Sequence, residues 1–235
     1  QQGLSSIAAS GFVDGVVRHL QFDQNMKMPA SDFDADAHLL NCYDGVWHLG
    51  TGERRDHSSD FKITQMAPIA VGQNKPKAFL KFLDEITDGD QELQAYFQIM
   101  LGSLLTGAQE IHKIFYWYGT TSRNGKSTLA ELIRYILGDY ATTFPAEGLT
   151  KGETKSNDFV QLVGKRLAIS GEVPDGCRWH EGRIKTLTSD EYIDVKPHYK
   201  ETYSVKRTHK HLVLGNFRPA FNSMDAGTTS KFVLV

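Results

Sequence analysis

Cysteine is nearly absent: Cys42 and Cys177 are the only two in 235 residues. They stand far apart and outside any metal-ligand spacing, so neither a disulfide framework nor a zinc knuckle is in prospect. A reduced, intracellular setting is the simplest reading. Long apolar runs are missing too; nothing approaches the roughly 18 residues that a membrane span needs, and no cleavable leader is visible. Net charge is only −2, from 26 Lys and Arg against 28 Asp and Glu, so overall charge argues neither for nor against a polyanionic partner. There is no internal repeat and no low-complexity tract. With 40% hydrophobic and 23% charged residues the chain can bury an ordinary core without staples. It opens Gln1-Gln2 without methionine and stops inside the apolar run Phe232–Val235, which reads as a piece of a longer polypeptide.

What is present falls into two stretches. Ile7–Leu20, Ala78–Ile86 and Leu93–Leu105 carry apolar residues at helical spacing, with Asp90 as an N-cap and Gly107 as a stop. Between them Asn41 and Asp44-Gly45 suit a tight turn joining two short extended pieces. From Ile114 the pattern changes. Ile114–Tyr118 is short, aromatic and β-prone, a polar loop comes next, and Leu129–Leu137 is helical again. Arg166–Ile169 and His211–Leu214 read as central strands ending in small polar clusters. The domain boundary is expected near Gly107–His112, giving a helical domain over 1–110 and a second domain over 111–235.

The loop is Gly119-Thr120-Thr121-Ser122-Arg123-Asn124-Gly125-Lys126-Ser127-Thr128. Strand, small polar loop, Gly-Lys-Ser, helix is the arrangement that wraps backbone N–H groups around a triphosphate. Lys126 is expected to reach the β and γ phosphates, Ser127 to hold Mg²⁺, and the next helix to offer its positive end. Five residues rather than four separate Gly119 from Gly125, so Thr120 takes the first glycine's place or the loop is one residue longer. Such a site needs an acid at a neighbouring strand end, and Glu172 is the carboxylate after Leu167–Ile169. Asn216, after Leu212–Leu214, is the polar residue placed to touch both γ-phosphate and water, although Asn after Gly is more often only a turn. Between them Asp190–Lys206 reads as a hairpin bending at Pro197–Lys200. From Lys196 to His211 it holds Lys196, Lys200, Lys206, Arg207 and Lys210 against Glu201, with three histidines and two tyrosines interleaved. Cations neutralise phosphates and rings stack on unpaired bases, so single-stranded nucleic acid suits this composition, and a solvated hairpin face suits it equally.

Asn124–Thr128, Gly164–Glu172, Ile184–Asp190 and Thr208–Pro219, in that order, resemble the superfamily 3 helicase domain of phage and plasmid primases and of the poxvirus primase-helicase. Phe33–Gly52 and Gly102–Gly107 resemble the helical domain that precedes it. The resemblance implies an α/β, AAA+-like P-loop ATPase core with a central parallel sheet, preceded by a smaller, mostly helical domain and truncated at its C-terminal end. It implies ATP and Mg²⁺, a homo-oligomeric ring of hexameric type around single-stranded or forked DNA, and a primase or polymerase domain in the same polypeptide. It places such a protein in the host cytoplasm as a phage, plasmid or mobile-element product. By position it makes Lys126 and Ser127 the phosphate and Mg²⁺ residues, Glu172 the acid that also serves the metal, and Asn216 the sensor. The gripping hairpin becomes Ile193–Lys206, with Lys196, His198, Tyr199 and Lys200 toward DNA. Ser170 or Gly171 replaces the first acid of the acidic motif. Lys231 stands where an arginine reaches into the neighbour's ATP, keeping charge without the planar fork. An ATP-dependent DNA helicase is the function implied. A binding and assembly module with little turnover, or a small-molecule P-loop kinase, are the other classes open.

Overall fold

The computed structural model describes residues 10–23, 27–119, 124–150, 158–221 and 226–235. Helix α1 (Ser10–Phe22) comes first, followed by a three-stranded antiparallel sheet of β1 (Leu39–Cys42), β2 (Gly45–His48) and β3 (Glu53–Arg55). The expected turn joins β1 to β2, with Cys42 opposite Gly45 and Leu39 opposite His48. Strand β3 escapes the sequence because all three of its side chains are exposed, leaving no alternation to read. Helices α2 (Lys77–Ile86) and α3 (Gln91–Leu104) come next. Asp90 caps α3 by accepting from the amides of Glu92 and Leu93 at 2.9 and 3.0 Å, which satisfies two of the helix's orphan donors.

The second half is built on five parallel strands: β4 (Ile114–Tyr118), β5 (Ala141–Thr143), β6 (Leu167–Ser170), β9 (Lys210–Gly215) and β10 (Phe232–Leu234). Their order is β10-β4-β9-β6-β5. Helix α4 (Lys126–Leu137) leaves β4, helix α5 (Glu181–Ser189) precedes the hairpin β7 (Tyr192–Val195) and β8 (Tyr203–Lys206), and the short α6 (Ala226–Thr229) leads into β10. The fold class is α/β with a central parallel sheet, as the resemblance implies.

Strand side chains alternate, and the alternation divides the core into two layers. Phe115, Trp117, Leu167, Ile169 and Leu212 face one side, against Leu129, Ile133 and Leu137 of α4 and Leu83, Phe97, Met100 and Leu104 of α2 and α3. Ile114, Tyr116, Ala168 and Val213 face the other, against Trp179, Ile184, Leu187, Ile193 and Val195. Burying each large apolar side chain contributes on the order of 1.5–3 kcal/mol, so the first layer binds α2 and α3 firmly to the sheet. The core therefore runs straight across residues 107–112.

Three buried cations tighten that junction, with no carboxylate as hydrogen-bond partner among the described residues. Arg166 donates to the carbonyls of Leu105 and Leu39 and stacks over the Tyr140 ring at 4.2 Å. Lys210 donates to the carbonyls of Thr106 and Ala108, both at 2.9 Å. Arg207 bonds the Asp190 carbonyl at 2.8 Å and the Gln109 side chain. Carbonyls just past the C-terminal end of α3 carry partial negative charge, which is where cations belong. Burial, with Arg166 and Arg207 nearby, still pushes the Lys210 ammonium down to about 8.

Candidate functional site

Residues just past the C-terminal ends of β4, β6 and β9 converge. Those strands are adjacent and parallel, so the segments leaving them emerge at the same edge of the sheet. In open parallel sheets ligands bind at that edge. Here β4 delivers Gly119 and the loop into α4, β6 delivers Glu172, and β9 delivers Asn216.

Four of the expected residues are joined by hydrogen bonds. The Lys126 ammonium donates to the Gly119 carbonyl at 3.2 Å and to Asn216 Oδ1 at 3.3 Å. Asn216 Nδ2 donates to Glu172 Oε1 at 2.5 Å. The orientation of the Asn216 amide is fixed by its partners, since an ammonium can only donate and a carboxylate can only accept. The sequence separations, 90 and 44 residues, show that the fold brings the groups together rather than chain proximity.

Gly125 caps α4 in the left-handed region, φ +84°, and a Cβ there would lie 2.5 Å from the Ile86 side chain of α2. Glycine is demanded twice over, by conformation and by contact. It brings no side chain of its own to the first amides of α4, and amides at a helix start suit an anion. Ser127 and Thr128 are exposed, and Asn124 is half-buried. Thr120, Thr121, Ser122 and Arg123 lie outside the described residues, and with them the extra loop residue.

Lys231 is elsewhere. It occupies the turn before β10, its carbonyl accepting from the Ile114 amide at 2.7 Å, at the start of β4. Phe232 pairs with Ile114 and Leu234 with Tyr116, so Lys231 sits at the opposite end of the sheet from Gly119. Four residue steps of about 3.3 Å put about 13 Å between the two ends of β4.

The hairpin forms as expected, Tyr192 opposite Lys206 and Val195 opposite Tyr203. Ile193 and Val195 bury its root; Lys196, His198, Tyr199 and Lys200 lie at its tip, all four exposed, Tyr199 completely. Its basic character is narrower than the sequence count. Arg207 and Lys210 are buried at the junction with α3, and His209 and His211 are buried in the core. Lys206 has Glu191 4.0 Å away. Position explains part of this: residues 207 to 211 lead into a central strand, where side chains go inward whatever their charge.

Two residues beside the site went unread in the sequence. Tyr116 donates from its hydroxyl to the Phe217 carbonyl at 2.6 Å, and the Arg218 guanidinium lies 5.8 Å from the centre of the Tyr118 ring. Tyr116 counted only as one of a run of β-prone aromatics; the Arg-Pro after Asn216 was the available signal for Arg218.

The family described as "D5 N terminal like" matches residues 2–88. A family of unknown function, DUF5906, matches residues 117–229, the stretch holding Lys126, Glu172 and Asn216. A protein of Acanthamoeba polyphaga mimivirus named as a helicase is 26% identical over 95% of this chain and 24% of its own length. One of African swine fever virus named as a primase is 24% identical over 97% of this chain and 25% of its own. The chain is thus similar over nearly its whole length to viral proteins named as a helicase and a primase. It spans about a quarter of the length of those two relatives. The apo C-terminal region of NrS-1 superimposes with a TM-score of 0.56 at 15% identity, over 70% of this chain and 38% of that one, which shows shared fold. Among the described residues no helix is long and apolar enough to cross a membrane, and no cluster of three metal-ligating side chains occurs.

Proposed function

We propose that the chain is the nucleotide-hydrolysing, DNA-translocating part of a replication primase-helicase. The observation that carries this reading is the hydrogen-bonded series Lys126–Asn216–Glu172 at the edge of the sheet where the Gly-Lys-Ser loop enters α4. The donor set suits ATP with Mg²⁺: an ammonium, the uncapped amides of α4, an exposed Ser127 hydroxyl and the exposed Glu172 carboxylate. ATP would supply the phosphoryl group to be transferred and Mg²⁺ the neutralising charge on it. Lys126 would then exchange Asn216 and the Gly119 carbonyl for phosphate oxygens, and Ser127 would hold the metal. Glu172 would accept the proton of the attacking water, and Asn216, bridging Lys126 and Glu172, would orient that water. Lys231, remote from this chain's own loop, would serve the site of an adjacent copy in a ring. Lys196, His198, Tyr199 and Lys200 at the hairpin tip would take the phosphates and bases of a single strand.

The test uses the full-length protein. Wild type should hydrolyse ATP faster with single-stranded DNA present and open a forked duplex; Lys126→Ala should abolish both activities together. Unwinding retained by Lys126→Ala would refute the proposal. Ser170 favours a second reading, an assembly module with little turnover. It is fully buried, its hydroxyl has no hydrogen-bond partner among the described residues, and it supplies no carboxylate beside Glu172. ATPase activity that single-stranded DNA does not stimulate would decide for that reading.

A further inference from the structure

We propose that Tyr116 is a positioning residue for Asn216: its hydroxyl, donating to the Phe217 carbonyl, holds the loop carrying Asn216 against the strand that leads into the phosphate loop. This deepens the nucleotide-hydrolysing reading and rests on it for its catalytic consequence, though not for its structural one.

Tyr116 lies in β4 only three residues before Gly119, and is 1% exposed. Its ring is held edge-on by Trp179 and Phe232, with centroids 5.9 and 6.4 Å away. A ring so fixed delivers its hydroxyl to one place, and there the Phe217 carbonyl accepts it at 2.6 Å. Burial pushes the phenol up to about 12, so it stays protonated and remains a donor. The chain after β9 crosses directly over this hydroxyl. A Cβ on Gly215 would stand 1.9 Å from Tyr116 Oη and 2.3 Å from Cζ, so close approach is what requires glycine there. The Gly215 carbonyl accepts in turn from the Gly119 amide at 3.2 Å. Asn216 thus sits between two pins, Gly215 and Phe217, both fastened to the β4 segment that launches the phosphate loop. Its side chain must meet Lys126 and Glu172 at once, and a loop free to shift could not keep both bonds. Small displacements of a reacting geometry are costly in rate, whereas binding depends on many other contacts.

The experiment compares wild-type and Tyr116→Phe full-length protein, a change that keeps the packed ring and deletes only the donor. Without nucleotide, hydrogen exchange at the amides of Asn216, Phe217 and Arg218 should quicken several-fold while α4 is unchanged. With ATP and Mg²⁺, kcat should fall about tenfold, the rate equivalent of one ordinary hydrogen bond, with KM held within about twofold. Unchanged exchange at those amides overturns the proposal, and so does exchange quickened evenly through β4 and α4, which marks a merely structural role. A rise in KM with kcat unaltered overturns it as well. If wild type hydrolyses no ATP while the local exchange change still appears, the hydrolytic reading falls and the positioning of Asn216 stands.

Discussion

His209 and His211 point to the same side of the chain, ring centroids 4.8 Å apart, and are 0% and 1% exposed. None of their four ring nitrogens has a hydrogen-bond partner among the described residues. Burial holds both rings neutral, with Arg207 nearby opposing protonation of each; His211 is pushed down to about 3 and His209 well below its ordinary 6.5. Below that ordinary value the unfolded chain takes up protons that the folded chain refuses, so stability falls as pH falls. The rate is about 1.36 kcal/mol per pH unit for each histidine. At about pH 5, some 1.5 units down, each costs about 2 kcal/mol and the pair about 4, a large share of the roughly 5–15 kcal/mol that holds a domain folded. Asp44 and Glu53, whose carboxyls lie below their ordinary values, act only at lower pH and do not confuse the window. Urea denaturation at about pH 7 and about pH 5 measures the effect. Wild type should lose about 4 kcal/mol, and His209→Leu/His211→Leu less than about 1 kcal/mol. An equal loss in both proteins, or none in wild type, would refute the reasoning.

Glu172→Gln keeps an oxygen to accept from Asn216 but removes the proton acceptor. ATP binding, followed by a fluorescent analogue, should persist while hydrolysis drops roughly 10²- to 10⁴-fold; parallel loss of both would exclude Glu172 as the base. Lys196→Ala/Lys200→Ala alters an exposed tip that supports no core. Affinity for single-stranded DNA should fall and its log–log salt slope flatten by about 1.4, at about 0.7 per lost phosphate contact, with unstimulated ATPase unchanged. An unaltered slope would remove the tip from the DNA-binding surface.

Much of this was legible in the residues, for identifiable reasons. Helices α2 and α3 declared themselves through apolar spacing, and the Asp90 cap because a side-chain oxygen at that position serves local amides. Strands β4, β6 and β9 are central, and central parallel strands are continuous apolar runs. The Lys126, Glu172 and Asn216 convergence came from each lying just after such a strand. The strands β3, β5 and β10 are edge strands of only three residues, with exposed or half-buried side chains, and carry little signal. The burial of Arg207 and Lys210 was unreadable because the groups that receive them from the α3 side lie about a hundred residues earlier. Tyr116 looked like one more aromatic; only the crossing of Gly215 over its hydroxyl gives it a task.

The shared core also determines how this protein can be taken apart. Ile86 and Phe82 of α2 lie against Gly125, and Phe97 of α3 packs edge-on against Trp117 with centroids 5.6 Å apart. A minimal fragment begun at β4 would present Phe115, Trp117, Leu129 and Ile133 to water, forfeiting on the order of 1.5–3 kcal/mol for each. It would lose the side chains packed against Gly125 in the same cut. Chimeras and expression fragments should therefore be joined upstream of α2, so that helices and sheet travel as one inherited piece.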